Sequence, residues 1–142
     1  MPVPQNVSSA YGFRVQAPGY VTPADARAWF EDLKRQVLAL EGRPFGLLFD
    51  ARTQRVNPPD THELVREAMT WSRAHGLERA AVVLDSTVAL IPLLRAAKSS
   101  GTDVYERYVD AQKDADWEAR AEDWIVRGID PDLLPPPFPR NR

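Results

Sequence analysis

Two short stretches of the chain are continuously apolar, and each is followed by an aspartate. Residues 45–49 read F-G-L-L-F before Asp50, and residues 80–84 read A-A-V-V-L before Asp85. An apolar run of this length, without polar alternation, is typical of a parallel strand that is covered on both faces. These two runs are therefore predicted to be the central strands of a sheet.

Two other stretches alternate between apolar and polar residues, as a strand with one solvent-exposed face does. They are Tyr11 to Ala17 and Val104 to Val109. Both are predicted to lie toward the edges of the sheet. Residues 1–10 carry a weaker signal and are interpreted as an N-terminal arm or a further edge strand.

Helical periodicity fills the intervals between the predicted strands. Thr22 is predicted to cap a first helix that Gly42 ends, and Asp60 is predicted to cap a second that Gly76 ends. A less regular helix precedes Gly101, and a last helix is predicted from about Lys113 to Arg127. The buried stripes are predicted to contain Ala26, Trp29, Phe30, Leu33, Val37 and Leu40; Leu64, Ala68, Trp71 and His75; and Trp117, Ala121, Trp124 and Ile125.

Alternation of strands with helices of this length predicts right-handed β-α-β connections. The length of 142 residues suits one domain. We therefore predict a single α/β domain with a central four- to five-stranded, mostly parallel mixed sheet flanked by four helices. The domain is assigned to residues 11–128, and residues 129–142 form a Pro-rich tail.

Composition excludes several classes of protein. The chain has no cysteine, so disulfides, thiolate metal sites and cysteine nucleophiles are excluded. The net charge of -2 includes no basic block, which argues against nucleic-acid binding. No apolar stretch approaches the ~20 residues of a membrane span, and the first residues lack the features of a signal peptide. A cytoplasmic location is the resulting expectation.

Several motifs carry a resemblance to a known family. The entry to the first helix reads P-G-Y-V-T-P-A-D, the two central strands read F-G-L-L-F-D and L-E-R-A-A-V-V-L-D, and the last helix contains E-D-W-I. Over roughly Tyr11 to Gly128 this arrangement resembles the SpoIIAA-like proteins, a branch of the STAS and CRAL-TRIO-like group. The resemblance implies a small mixed-sheet domain that binds a protein partner or an apolar small molecule without catalysis.

Asp50, Asp85 and Asp110 each end a predicted strand. In a parallel sheet these carboxylates would lie along one edge, where ligands of open α/β sheets bind. Three carboxylates at that edge could hold Mg²⁺ or accept a phosphoryl group, as in a receiver domain. The alternative interpretation is that each aspartate orients the loop that follows it. Loop orientation is the preferred interpretation.

Ser86 is a candidate phosphoacceptor. The segment D-S-T-V-A-L resembles the D-S-[ST]-G element that a partner kinase phosphorylates in STAS phosphoswitch proteins, although it lacks the glycine. The alternative is that Ser86 or Thr87 caps the following helix.

An apolar run follows directly in the sequence and supplies the candidate binding surface. Residues 88–94 are seven consecutive apolar residues on a predicted helix, whereas a helix that covers a sheet needs apolar residues on about half of its positions. The surplus side chains are predicted to bind a ligand or a partner. The alternative is that neighbouring helices or the tail segment Leu133 to Phe138 cover them. The residues concerned are Val88, Leu90, Ile91, Leu93 and Leu94.

No catalytic residue, metal site or cofactor is predicted. The sequence contains no Walker loop, G-x-G-x-x-G segment or H-E-x-x-H spacing. We therefore expect a non-enzymatic regulatory or scaffolding module that binds a protein partner or a second copy of itself. The alternatives are a carrier or sensor of an apolar small molecule or lipid, and a metal-dependent receiver or enzyme that uses the strand-end aspartates.

Overall fold

The computed structural model describes residues 4–17, 19–55, 57–85, 95 and 98–131. Five strands in this part of the chain form one sheet in the order β1-β2-β3-β4-β5. Their bounds are Gln5–Ser9 (β1), Gly12–Gln16 (β2), Phe45–Asp50 (β3), Leu77–Leu84 (β4) and Glu106–Asp110 (β5). β1 pairs antiparallel with β2, and the remaining neighbours are parallel.

The helices alternate with the parallel strands. They are Pro23–Leu38 (α1), Pro59–Ala74 (α2), a third described at residues 95 and 98–100 (α3), and Trp117–Arg127 (α4). A 3₁₀ turn spans Thr102–Val104. The prediction of a single α/β domain with a mostly parallel, mixed five-stranded sheet and four helices is confirmed.

Two hydrophobic cores lie on opposite faces of the sheet. One contains side chains of α1 and α2, including Trp29 and Ala68, packed on Phe13, Leu47 and Ala80 of the strands. The other contains Ala121, Trp124 and Ile125 of α4 packed on Leu48, Ala81, Val83 and Val109. This division follows from the strand order, since right-handed connections between successive neighbours place their helices on the same face.

The start of α1 agrees with its prediction. The Thr22 hydroxyl accepts a hydrogen bond from the Asp25 backbone N–H at 3.1 Å, and Pro23 occupies the first turn. Five of the six predicted stripe residues are buried, while Leu40 lies beyond the helix and packs against the core.

The predicted cap of α2 is wrong. Pro58 is the capping residue and makes no side-chain hydrogen bond to the helix. The helix begins at Pro59, because a proline with its fixed φ and no N–H fits the first helical position. Asp60 is instead an acidic residue of the first turn, where it interacts favourably with the helix dipole.

Other boundaries also differ from their predictions. β4 begins at Leu77, and β5 begins at Glu106 because Val104 belongs to the 3₁₀ turn and is 70% exposed. α4 begins at Trp117, since the chain turns after β5. In that turn the Asp110 carbonyl accepts hydrogen bonds from the N–H groups of Lys113 and Asp114 at 3.2 and 3.1 Å.

A close contact fixes α4 against the sheet. Gly46 of β3 faces α4, and an ideal Cβ at this position would lie 2.3 Å from Cγ2 of Ile125. The indole Nε1 of Trp124 donates to the Ala80 carbonyl at 2.9 Å. The missing side chain at residue 46 therefore permits α4 to lie directly on β3 and β4.

Within the described ranges, every helix is too short or too polar to cross a membrane.

Candidate functional site

The three predicted rim aspartates lie at the same edge of the sheet. Asp50 is opposite Val83 in the β3–β4 register, Leu84 is opposite Asp110 in the β4–β5 register, and Asp85 follows Leu84. Their placement at the carboxyl ends of parallel strands agrees with the prediction. Their environments, however, differ.

Asp50 is held by two arginines. Arg52 donates from Nε to Oδ1 and from Nη2 to Oδ2, both at 2.9 Å, and Arg14 lies 3.5 Å from Oδ2. Arg14 also pairs with Glu118 of α4. The indole of Trp117 lies beside both guanidinium groups, with its ring centroid 4.2 Å from Cζ of Arg52 and 5.7 Å from Cζ of Arg14.

This network determines the charge state of Asp50. Burial opposes ionisation, but the hydrogen bonds and positive charge of Arg52, with the charge of Arg14, outweigh it and lower the pKa of Asp50. Both carboxylate oxygens are occupied by guanidinium donors. A pocket of about 270 Å³ is lined by Arg14, Asp50 and Arg52. Their charges balance only when Glu118, which pairs with Arg14 from α4, is included.

Asp50 and Asp110 both orient the residues that follow them. Oδ1 of Asp50 accepts from the Arg52 backbone N–H at 3.2 Å, and Oδ1 of Asp110 accepts from the Gln112 backbone N–H at 2.9 Å. Such bonds to the residue two positions later are typical of Asx turns. Asp85 is exposed. No group of three or more acidic or histidine side chains suited to a metal ion occurs within the described part of the chain.

Ser86, the candidate phosphoacceptor, lies outside the described residues, as do the five predicted binding residues Val88, Leu90, Ile91, Leu93 and Leu94. Their predicted roles stay predictions. The residues of the Pro-rich tail after Pro131 also lie outside the description.

A larger depression lies between α1 and α2, and we call it the α1–α2 groove. Its volume is about 490 Å³, and it is lined by Phe30, Lys34, Glu63, Arg66, Glu67, Thr70 and Trp71. The rings of Phe30 and Trp71 meet edge to face, with centroids 6.1 Å apart at 77°. Trp71 is stacked in turn on His75, with ring centroids 4.0 Å apart. The groove therefore has an aromatic floor.

Charged side chains surround this floor. Lys34 lies over the Phe30 ring, with Nζ 4.3 Å from the centroid, and pairs with Glu31 at 3.4 Å. Arg66 pairs with Glu63. Glu67 has no ion-pair partner among the described residues, so its carboxylate is the acidic group of the lining that is not in an ion pair.

Sequence reasoning did not identify the α1–α2 groove. The sequence predicts that Trp71 and His75 belong to the buried stripe of α2, but Trp71 is only partly buried and His75 is exposed. The groove forms because α1 and α2 are neighbours on one face, and that arrangement follows from a strand order that the sequence pattern left open. The signal for the groove that the sequence offered was one aromatic residue on each helix, Phe30 on α1 and Trp71 on α2.

A buried polar pair of side chains lies on β5. Glu106 is 8% exposed, and its Oε1 accepts a hydrogen bond from the Tyr108 hydroxyl at 2.6 Å. Burial raises the pKa of Glu106, although the hydrogen bonds from Tyr108 and Thr102 oppose the rise. Burial and the Glu106 carboxylate also raise the pKa of Tyr108. Glu106 and Tyr108 line neither of the two pockets described above.

Comparison with known proteins adds no assignment to this geometry. No protein-family model, curated protein or solved structure matches the chain.

Proposed function

We propose that the protein is a non-enzymatic binding module whose α1–α2 groove receives a segment of a partner protein. The composition of the groove carries this proposal: an aromatic floor of Phe30 and Trp71 is surrounded by charged side chains. Protein interfaces combine an apolar centre with a polar rim, and tryptophan is enriched among the residues that contribute most to binding. The resemblance to SpoIIAA-like proteins favours the same class of function.

The charges of the groove specify the chemistry of the partner. Lys34 and Arg66 already have carboxylate partners within the protein, whereas Glu67 has none among the described residues. A complementary segment therefore presents a lysine or arginine to Glu67. It also presents an adjacent apolar side chain to Trp71, since apolar contact with the aromatic floor supplies the affinity.

The groove favours a protein partner over an apolar small molecule. A small-molecule carrier encloses its ligand in a mostly apolar cavity. The two described pockets are open depressions, and charged side chains contribute to the lining of each. An open, partly charged groove is suited to a polypeptide segment.

The proposal is tested by selecting displayed random peptides on the wild-type protein. Enriched peptides are expected to combine a basic residue with a neighbouring large apolar residue. Their affinity should fall at least about tenfold, or ~1.4 kcal/mol, for Glu67→Lys and for Trp71→Ala. Glu78→Lys is the matched charge reversal, because Glu78 is exposed on β4 and does not line the groove.

Melting temperatures and circular dichroism of each variant establish that the fold is retained. If the enriched peptides bind Glu67→Lys and Trp71→Ala as tightly as they bind the wild type, their binding site is not the α1–α2 groove. A selection that enriches no shared sequence would remove the groove as a peptide site.

A further inference from the structure

The pocket lined by Arg14, Asp50 and Arg52 lies where two parallel strands end, and we call it the arginine pocket. Gln16, the last residue of β2, is opposite Asp50, the last residue of β3. Ligands of open α/β sheets bind outside the carboxyl ends of the strands. The remaining residues of the lining are Gln16, Ala17 and Thr53, and the pocket shares no lining residue with the α1–α2 groove. The arginine pocket therefore has the position of a separate ligand site.

The two guanidinium groups of the pocket are held in place within the protein. Asp50 accepts hydrogen bonds from both, and the indole of Trp117 lies beside both. Each guanidinium keeps one nitrogen without an acceptor among the described residues, namely Nη1 of Arg52 and the buried Nε of Arg14. Buried polar groups in folded proteins are nearly always hydrogen-bonded. An oxyanion is the kind of group that supplies acceptors to guanidinium donors.

The charge of the pocket indicates that a matching ligand carries a single negative charge. Arg14, Arg52 and Asp50 together have one net positive charge. Asp85 also attracts Arg52, but it is exposed to solvent, which weakens its field, and it forms no ion pair with Arg52 in the described part of the chain. The helix α4 begins at Trp117, beside the pocket, and adds the positive end of its dipole. A monoanion balances these charges, whereas a dianion leaves the pocket negative.

Glu118 shows which chemical group fits beside Arg14. Its carboxylate comes from α4 and accepts a hydrogen bond from Nη1 of Arg14. The side chain of Glu118 is 51% exposed, whereas that of Asp50 is 14% exposed and accepts from two arginines. Exposed ion pairs contribute little to stability. Glu118 is therefore the carboxylate that a ligand can replace, while Asp50 stays in place.

We propose that the arginine pocket binds a small, hydrophilic monocarboxylic acid, whose carboxylate replaces Glu118 on Arg14 and also accepts from Nη1 of Arg52. The volume of about 270 Å³ is at the low end for ligand sites, which limits the ligand to a few non-hydrogen atoms. Gln16 and Thr53 provide an amide and a hydroxyl for its polar substituents. Glu118 acts as a built-in competitor that keeps Arg14 paired when no ligand is bound.

NMR titration of the full chain with lactate tests the proposal, with the ionic strength held constant by chloride. Lactate is expected to shift the indole N–H resonance of Trp117 in a saturable manner, and lactamide, which has the same size but no charge, should not. Arg52→Gln should weaken lactate binding at least about tenfold, as loss of a charged hydrogen bond does. Glu118→Gln should strengthen it by about two- to fivefold, because an exposed competing ion pair is removed. Asp123→Asn is the matched control, since Asp123 is a carboxylate of α4 that pairs with Arg127 and does not line the pocket.

Three results would overturn the proposal. The first is the lack of a saturable shift with lactate in both the wild type and Glu118→Gln, whose substitution is at an exposed position and is expected to retain the fold. The second is equal lactate affinity in the wild type and Arg52→Gln, which would show that lactate binds elsewhere. The third is tighter binding of inorganic phosphate than of lactate near pH 8, which would show that the pocket prefers a dianion.

Discussion

Glu106 is the only charged side chain that is buried within the described residues. Burial raises its pKa, and the hydrogen bonds from Tyr108 and Thr102 compensate only in part. The folded protein therefore binds this proton more tightly than the unfolded chain does. By linkage, the ionisation of Glu106 lowers the free energy of unfolding. The loss begins as the pH rises past the ordinary pKa of about 4.3 and is complete above the raised pKa of the folded state.

Glu106→Gln should remove this cost, because glutamine keeps an acceptor for the Tyr108 hydroxyl and cannot ionise. We expect the variant and the wild type to be equally stable near pH 3.5, and the variant to be more stable by about 1–3 kcal/mol near pH 8. Urea unfolding across this range measures the difference. Glu78→Gln, at an exposed position of β4, should show no such trend. A Glu106→Gln difference that does not change with pH would contradict the assigned ionisation.

Residues that act on their immediate neighbours could be predicted from the sequence. The hydrogen bond from the Asp25 N–H to the Thr22 hydroxyl and the loop-orienting bonds of Asp50 and Asp110 each join positions two or three apart. The pairing of Arg14 with Asp50 and Glu118 joins three separate elements. Such a contact depends on sheet register and helix placement, which a local pattern does not contain.

At the scale of elements, the central strands and the stripe of α1 were predictable because burial imposes a period on the sequence. The stripe of α2 was predicted only in part, since Leu64 and Ala68 are buried but Trp71 and His75 are not. Errors occurred at the ends, where a few local hydrogen bonds decide the boundary. The sequence predicts that the last helix begins at about Lys113, but Lys113 lies in the turn that the Asp110 carbonyl stabilises. The close approach of α4 to β3 was not predicted either, since Gly46 is only one residue of an apolar run.

Gly46→Ala tests whether this glycine sets the position of α4. The new Cβ would lie 2.3 Å from Cγ2 of Ile125 and 3.3 Å from the Arg79 carbonyl. Overpacking of this kind is expected to reduce the free energy of unfolding by about 1–3 kcal/mol. In an Ile125→Ala background, which provides space, the same substitution should cost much less. Chemical denaturation of the four proteins of this double-mutant cycle measures the coupling.

If Gly46→Ala costs the same in both backgrounds, then Ile125 does not constrain residue 46. The cost would then belong to the backbone of β3 and to its neighbour Arg79 on β4, and not to the packing of α4.

At the scale of the whole molecule, the alternation of strands and helices was sufficient to predict the fold class. It did not determine the order of the strands. The sequential order β2-β3-β4-β5 makes α1 and α2 neighbours on one face and leaves the opposite face to α4. The α1–α2 groove is a consequence of that order, which explains why the residues of the groove were individually visible in the sequence but not recognisable as a site.

The predicted role of residues 88–94 also belongs to the whole molecule, because it concerns association. These seven residues are all apolar, more than the buried stripe of a helix requires. We expect Leu90→Asp or Ile91→Asp to abolish self-association or retention of an apolar ligand while the melting temperature changes by only a few degrees, as for an exposed position. Leu38→Asp is the control, since Leu38 is 60% exposed on α1 and should affect neither property.

Light scattering and native mass spectrometry of the wild type and the three variants measure the two properties directly. A partner or ligand that binds this segment must lose apolar contact when an aspartate is introduced, so binding should be lost while the fold is retained. A wild-type protein that is monomeric, retains no ligand and unfolds on either substitution would show that the run belongs to the hydrophobic core. The α1–α2 groove would then be the remaining proposed surface for a protein partner, and the peptide selection would test it independently.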